Sequence, residues 1–356
     1  MTLPSGVTEE LRVEFLAKEQ LVAQRQVIAR FVSAAGVALC HDPRWLGVFS
    51  AALGHTPFCL TASRGEELAG ILPLALVRSV LFGRFLVGLP YLNTGGVVTN
   101  DAACALRLID RAVEVADELD VKFLELRHET ECVHPRLSRA VTNKVHMRLP
   151  LPNSVDELWS AIKAKVRNQI RKGESHELTV HWGQEELLGE FYQVFSRNMR
   201  DLGTPVYSRR LFQQILTVFS REAELCVVRL AGRPVAGALL LHGNGTTEVP
   251  SASSLAEYNG TNANMLMYWH LLRRTIERGQ RTFDFGRSSE DSGTFRFKKQ
   301  WGAHPEPATW QHYVRQGQAN QMRPDSGKYD RMIRIWQRLP VPLTRQIGPL
   351  IARGIP

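Results

Sequence analysis

The chain has 356 residues, 44% of them hydrophobic, which is enough to fill a core in each of two ordinary domains and excludes a disordered protein. Lysine and arginine exceed aspartate and glutamate by 44 to 35, a formal charge of +9 that favours an anionic partner without choosing among tRNA, a phosphorylated precursor and an acidic membrane surface. The five scattered cysteines (Cys40, Cys59, Cys104, Cys132, Cys226) are odd in number and hold no C-x-x-C pair, residues 1–10 show no signal peptide, and no apolar run approaches the roughly 20 residues of a spanning helix.

These features predict a cytoplasmic protein, soluble or peripheral at the cytoplasmic face of the inner membrane. The first clear element is the apolar run 58–62, followed by Gly65-Glu66-Glu67-Leu68-Ala69-Gly70-Ile71-Leu72, which reads as a strand, a tight turn and a second strand. A helix should follow behind the N-cap candidates Asn100 and Asp101, with Leu106, Ile109, Val113 and Ala116 on one face. Phe123 to Arg127 then forms a strand of the type F-x-x-x-R. His128, Cys132 and His134 lie close together, but their spacing matches no zinc motif, so the expectation is a loop and no metal.

The proline-rich break at 149–153 marks a boundary, predicting domains 1–150 and 151–315. Beyond it, residues 155–172 read as one amphipathic helix with Trp159, Ile162, Val166 and Ile170 on its apolar face. Lys163, Arg167 and Arg171 recur at four-residue spacing on another face, with Lys165, Asn168 and Lys172 beside them. Such a ridge binds phosphate, the arginines as forks and Lys163 as a point charge; a solvated face is the plainer alternative.

The earlier order then recurs. The apolar run 225–230 precedes Gly232-Arg233-Pro234-Val235-Ala236-Gly237-Ala238-Leu239, which shares the pattern G-x-x-apolar-A-G-apolar-L with residues 65–72. A helix bearing Met265, Trp269, Leu272 and Ile276, ended by Gly279, leads to the strand Phe283 to Arg287. The chain is thus an α/β duplication in which each helix crosses over between strands.

The run Phe283-Asp284-Phe285-Gly286-Arg287-Ser288-Ser289 opens into a polar loop and returns as Gly293-Thr294-Phe295-Arg296-Phe297-Lys298-Lys299-Gln300-Trp301-Gly302. It predicts a buried strand, an anion-binding loop and an aromatic strand with an inward lysine, Lys298. A plain hairpin is the alternative. Asp284 is either a base or, more simply, a strand-end aspartate bonded to the next turn. After a polar linker over 316–328, residues 329–339 place Met332, Ile333 and Trp336 on one side with Arg331, Arg334 and Arg338 around them, suited to an anionic membrane surface or to packing on the body.

No G-x-S-x-G elbow, P-loop or G-x-G-x-x-G fingerprint is present. The repeated order of elements resembles two tandem GNAT-like acyltransferase domains, which implies mixed central sheets flanked by helices, plus a C-terminal helical tail. The pair is similar to the Fem family of aminoacyltransferases, which move amino acids from aminoacyl-tRNA to a lipid-linked cell-wall precursor. Phe297-Lys298 followed by Trp301-Gly302 carries that likeness most specifically. Leu89-Pro90-Tyr91-Leu92-Asn93-Thr94-Gly95-Gly96, the run 200–205, Asn264-Met265-Leu266 and Tyr268-Trp269 resemble a Fem-like branch associated with exosortase and PEP-CTERM systems.

The resemblance implies acyl or aminoacyl transfer to an amine or hydroxyl of an anionic, phosphorylated envelope or exopolysaccharide precursor. It implies Lys298 as the cation that stabilises the oxyanion and the Phe297 carbonyl as acceptor of the amine proton. Asp284 and Arg287 would shape the loop, while Tyr268, Gly286, Ser288 and Trp301, with Lys163, Arg167, Asn168 and Arg171, would bind substrate. The pyrophosphate motif of CoA enzymes is absent. With Gly260 as its first glycine, Glu257 and Asn262 stand at key positions, and the equivalent place around Gly95 and Gly96 does not fit either. No tightly bound cofactor is therefore expected. Aminoacyl-tRNA is the expected donor and acyl-CoA at a non-standard site the alternative. A non-catalytic envelope-assembly scaffold and a tRNA-binding module without chemistry are the rivals.

Overall fold

A computed structural model describes residues 10–139, 144–317 and 330–355. The first half contains β1 (Leu11–Leu16), α1 (Lys18–Ala23), α2 (Arg25–Ala35), α3 (Arg44–Leu53), β2 (Thr56–Arg64), β3 (Glu67–Ser79), β4 (Gly83–Val87), α4 (Ala102–Glu118), β5 (Phe123–His128) and β6 (Ser138–Arg139). Then come β7 (Lys144–Pro150), α5 (Val155–Ala161), α6 (Ala164–Glu174), β8 (Leu178–Gly183), α7 (Leu188–Asp201), α8 (Arg209–Val218), β9 (Ala223–Leu230), β10 (Arg233–Gly243), β11 (Thr246–Ser254), α9 (Ala263–Glu277) and β12 (Thr282–Ser289). The chain closes with α10 (Gly293–Gln300), β13 (His304–Pro307), β14 (Thr309–Val314), α11 (Asp330–Trp336) and α12 (Val341–Ala352).

The duplication is visible in the sheets. β2-β3-β4-β5 and β9-β10-β11-β12 each form three antiparallel-connected strands and a parallel last pair, with α4 or α9 as the crossover. Gly65 and Gly232 turn each hairpin at positive φ, the conformation a glycine enters without a Cβ clash. Asp101 is the N-cap of α4: its carboxylate accepts from the Ala103 and Cys104 amides.

Three apolar layers hold the two sheets. One lies under α4, one under α6 and α9, and the third lies between the sheets, where Trp45, Phe49 and Ile71 of the first half meet Phe191, Phe212 and Phe219 of the second. The halves therefore share a core. The strands cross over as well: β7 pairs with β12 and β13 in the second sheet, although it precedes the expected break at 149–153, and β14 returns to pair with β5 and β6 in the first.

Two predicted elements differ. The helix expected over 155–172 breaks at Ile162 and Lys163, whose extended backbone separates α5 from α6. The aromatic segment 293–300 is a helix, not a returning strand, so neither the strand nor the hairpin describes it: Ser292 caps it by accepting from the Phe295 amide. Phe295 is buried while Phe297 packs half-buried beside Tyr268, an arrangement a helix allows without strand alternation. Most of the predicted linker and Tyr329 lie outside the described residues.

Candidate active site

The second repeat opens at its parallel pair. β11 and β12 are paired only from Thr246 and Thr282 to Glu248 and Asp284. Beyond that point the β7–β12 register shifts between Asp284 and Arg287. Gly286 makes the shift at φ +75°, its amide donating to Asp284 Oδ1 at 2.7 Å, and a Cβ there would press on Asn93 of the first half.

Register puts the Glu248 and Asp284 carboxyls side by side, and the first half closes over them. The Cys40 amide donates to Glu248 Oε1 at 3.3 Å, and Cys40 Sγ bonds Thr94 Oγ1. The resulting cleft, about 430 Å³, takes Cys40, Asn93, Thr94 and Glu129 from the first half and Arg148, Glu248, Asp284 and Glu306 from the second. It is a concave site with few convergent polar groups, where two subdomains meet.

Charge in the cleft is arranged around two groups. Arg148 bridges Glu129 at 2.6 Å, Glu306 at 2.9 Å and Asp284 at 3.0 Å. Burial pushes the Glu129 carboxyl up, but Arg148 more than offsets it and holds the group below its ordinary range. Glu248 has no such partner. Burial, then the neighbouring Asp284 charge, push its carboxyl up to about 7, only partly opposed by the Cys40 hydrogen bonds and by Arg148. The Cys40 thiol is pushed well up by burial and by Glu248, so it is no thiolate nucleophile.

Lys298 lies on α10 and is buried. Its Nζ donates to the Gly286 carbonyl at 3.1 Å and the Arg287 carbonyl at 3.0 Å, and burial brings its ammonium down to about 8 against the pull of Asp284. Around it, the Tyr268 ring stacks on Phe285 at 5.6 Å and meets Phe297 edge-on at 4.9 Å, with Trp301 at 6.3 Å. Arg287 stacks on Trp310 at 3.5 Å, and Arg127 lies 4.0 Å from the same ring. Trp310 is tied in turn to the Asn93 carbonyl at 3.1 Å. The Ser288 hydroxyl is buried and makes no hydrogen bond with the described residues.

The residues predicted from sequence thus separate into two groups. Asp284 lines the cleft, and Gly286, Arg287, Ser288, Tyr268, Phe297, Lys298 and Trp301 gather on or beside β12. Lys163, at the N-cap of α6, and Asn168 and Arg171 on it are exposed; α6 packs against α9 and does not line the cleft. Arg167 Nη1 donates to the Trp159, Ser160 and Ile162 carbonyls at 3.2, 3.2 and 2.6 Å, satisfying the free carbonyls where α5 ends, so that nitrogen is committed to the backbone. Arg171 rests 5.4 Å from the Trp159 ring and bonds Asn168. Among the described residues no group of three or more histidines, cysteines or carboxylates is placed to hold a metal. His128 bonds Gln311 and His134 bonds Asp110.

Glu248, Arg148, Cys40, Thr94 and Glu129 had not been predicted. The signal for Glu248 was available: it is the one carboxylate in an otherwise neutral strand. Its partners, however, come from distant segments. At the entrance to α9, Glu257 forms a two-pronged pair with Arg197 at 2.6 and 3.1 Å.

Comparison with known proteins bears on the fold. Residues 160–299 match the family described as an acetyltransferase (GNAT) domain. No curated protein sequence matches the chain. Among solved structures, FemX superposes with a TM-score of 0.66 at 15% identity, covering 85% of this chain and 97% of its own. A tandem GNAT protein from the clavulanic acid biosynthesis pathway gives 0.52 at 14%, covering 85% and 98%. L-PGS from Bacillus licheniformis gives 0.50 at 14%, covering 93% and 96%. The fold is the acyltransferase fold of the GNAT type, in tandem.

Proposed function

We propose that this chain transfers an acyl or aminoacyl group to an amine or hydroxyl of a cell-envelope precursor in the cleft between its two halves. The observation that carries the reading is Glu248, a buried carboxyl with an ionisation midpoint near neutrality, at a cleft walled by both halves of an acyltransferase fold. As the acceptor nitrogen or oxygen attacks the donor carbonyl carbon, Glu248 takes its proton. The new C–N or C–O bond forms, the donor C–O or C–S bond breaks, and the proton passes to the leaving alcohol or thiol. Lys298 does not itself line the cleft; two of its three protons are on the Gly286 and Arg287 carbonyls just beyond Asp284, and its assignment to the developing oxyanion rests on the Phe297-Lys298 resemblance. The Phe297 carbonyl is the rival proton acceptor.

The exposed cations Lys163 and Arg171 are the candidate grip for a phosphorylated acceptor or for tRNA. The motif resemblance to the exosortase-associated branch directs the acceptor search toward exopolysaccharide precursors. A second reading takes acyl-CoA as donor, and the Arg197–Glu257 pair favours it, because it neutralises the carboxylate that would repel a pyrophosphate.

A thermal-shift screen against charged and uncharged tRNA, acyl-CoAs and nucleotide- or lipid-linked sugars tests the reading. Stabilisation by one donor class and one acceptor class is expected, with the acceptor response weakened in Arg171→Ala. A screen in which no donor or acceptor shifts the melting point favours the scaffold.

A further inference from the structure

The helical tail takes no part in the cleft, and its contacts fix which of its faces is inside. Ile333 of α11 packs on Gly203, Arg200 Nη1 donates to the Leu339 carbonyl at 2.9 Å, and Gln337 Nε2 donates to the Asp201 carbonyl at 3.0 Å. α12 turns Thr344, Gly348 and Ala352 inward, with Gly348 against Val206. Its end reaches the turn between β3 and β4, where Gly354 abuts Ser79 and the Tyr91 hydroxyl donates to the Arg353 carbonyl at 2.9 Å.

The outward face along this path is apolar. Leu202 at the end of α7, Met332 and Ile335 on α11, Leu350 on α12, and Val80 and Leu81 at the β3–β4 turn are each more than half exposed, and Leu343 is also exposed. Most of the large hydrophobic side chains exposed among the described residues lie here, whereas a soluble surface scatters them singly.

Charge accompanies them. Residues 330–355 hold five arginines (Arg331, Arg334, Arg338, Arg345, Arg353) against one acid, Asp330. Arg331, Arg334, Arg338 and Arg353 are exposed and form no ion pair with the described residues, as is also true of Arg78 beside the β3–β4 turn. No described helix is long and apolar enough to cross a membrane.

We propose that this strip seats the protein on the surface of an anionic bilayer. The apolar side chains enter the boundary between headgroups and acyl chains, and the unpaired arginines meet lipid phosphates from the rim. The charge selects this occupant over a second copy of the chain, because two such strips face to face would set arginine against arginine.

The test is co-sedimentation of the full chain with phosphatidylcholine vesicles, with and without phosphatidylglycerol. Binding to the anionic vesicles is expected, falling with added salt and about ten-fold weaker on neutral ones. Val80→Ser/Leu81→Ser and Arg331→Glu/Arg334→Glu should each weaken it about ten-fold while circular dichroism and the melting temperature stay unchanged. Absence of binding to anionic vesicles, binding by either variant as tight as wild type, or a concentration-dependent dimer that either variant dissociates would each overturn the assignment, the last by giving the strip to a second copy.

Discussion

At the scale of single residues the proposed chemistry turns on Glu248. Removing a general base that acts at the transition state costs roughly 10²- to 10⁴-fold in rate, so Glu248→Gln should lower kcat by that factor with little change in substrate affinity. The rate should rise as Glu248 ionises with a midpoint near 7 and fall as Lys298 loses its proton near 8, giving a narrow bell in pH. Lys298→Met should abolish turnover without unfolding the chain, whereas unchanged activity would remove the oxyanion role. Stability carries a separate signature. The folded Glu248 carboxyl binds its proton more tightly than an unfolded one, so its contribution is complete below the unfolded value and is lost as pH rises through about 7. Wild type should therefore lose stability relative to Glu248→Gln over that window in urea titrations at a series of pH values. Little of this was visible in the sequence. Phe297-Lys298 and Asp284 stood out by local pattern, but the pairing of Glu248 with Asp284 depends on strand register, and Cys40 and Thr94 reach it from the other half.

Local elements were more legible, because caps, glycines and periodicity act within a few residues. The helix α4 behind Asp101, the helix α9 ahead of Gly279, and the hairpins at Gly65 and Gly232 all formed as patterned. Periodicity misled at 155–172, where the apolar stripe runs through a backbone break. A helical pattern there cannot reveal that Arg167 folds back to cap the carbonyls ahead of Lys163. Arg167→Ala should therefore cost about 1 kcal/mol, read as a lower urea midpoint with an unchanged slope, since a charge-assisted bond to part-buried carbonyls is lost. Arg171→Ala, exposed on the same helix, should leave the midpoint in place. Equal effects would mean that the α5–α6 junction does not depend on the cap. At residues 293–300 the alternation of Phe295 and Phe297 suggested a strand, yet the Ser292 cap and the burial of Phe295 and Lys298 three residues apart define α10.

The whole molecule behaves as two repeats closed on a common core. β14 completes the first sheet after the second repeat has ended, while the second sheet is built from β7 to β13 in one continuous stretch that starts ahead of the proline-rich break, so the first half does not have all its strands within its own stretch of sequence. No local pattern announces such an exchange, which is why the proline-rich break alone suggested two separate domains. A single cooperative transition by calorimetry is expected, with no intermediate in which one half is folded. Arg148 ties the halves through Glu129. Arg148→Ala leaves three carboxylates without their cation, and should cost roughly 3 kcal/mol, at the low end for a broken buried pair because Glu129 and Glu306 keep part of their hydration. The α/β duplication itself was readable from the repeated G-x-x-apolar-A-G-apolar-L strings and the elements after them, since each hairpin and helix is patterned within a few residues, while its acyltransferase character came from the family resemblance.

The central claim is that group transfer occurs in the cleft between the halves with Glu248 as the base. Its most direct test is a donor-by-acceptor matrix read by mass spectrometry, in which aminoacyl-tRNA and acyl-CoA donors are incubated with amine- and hydroxyl-bearing envelope precursors, using wild type and Glu248→Gln. The expected result is one acceptor gaining the mass of the donor's acyl group with wild type and losing most of that product with Glu248→Gln. Full product formation by Glu248→Gln would contradict the claim.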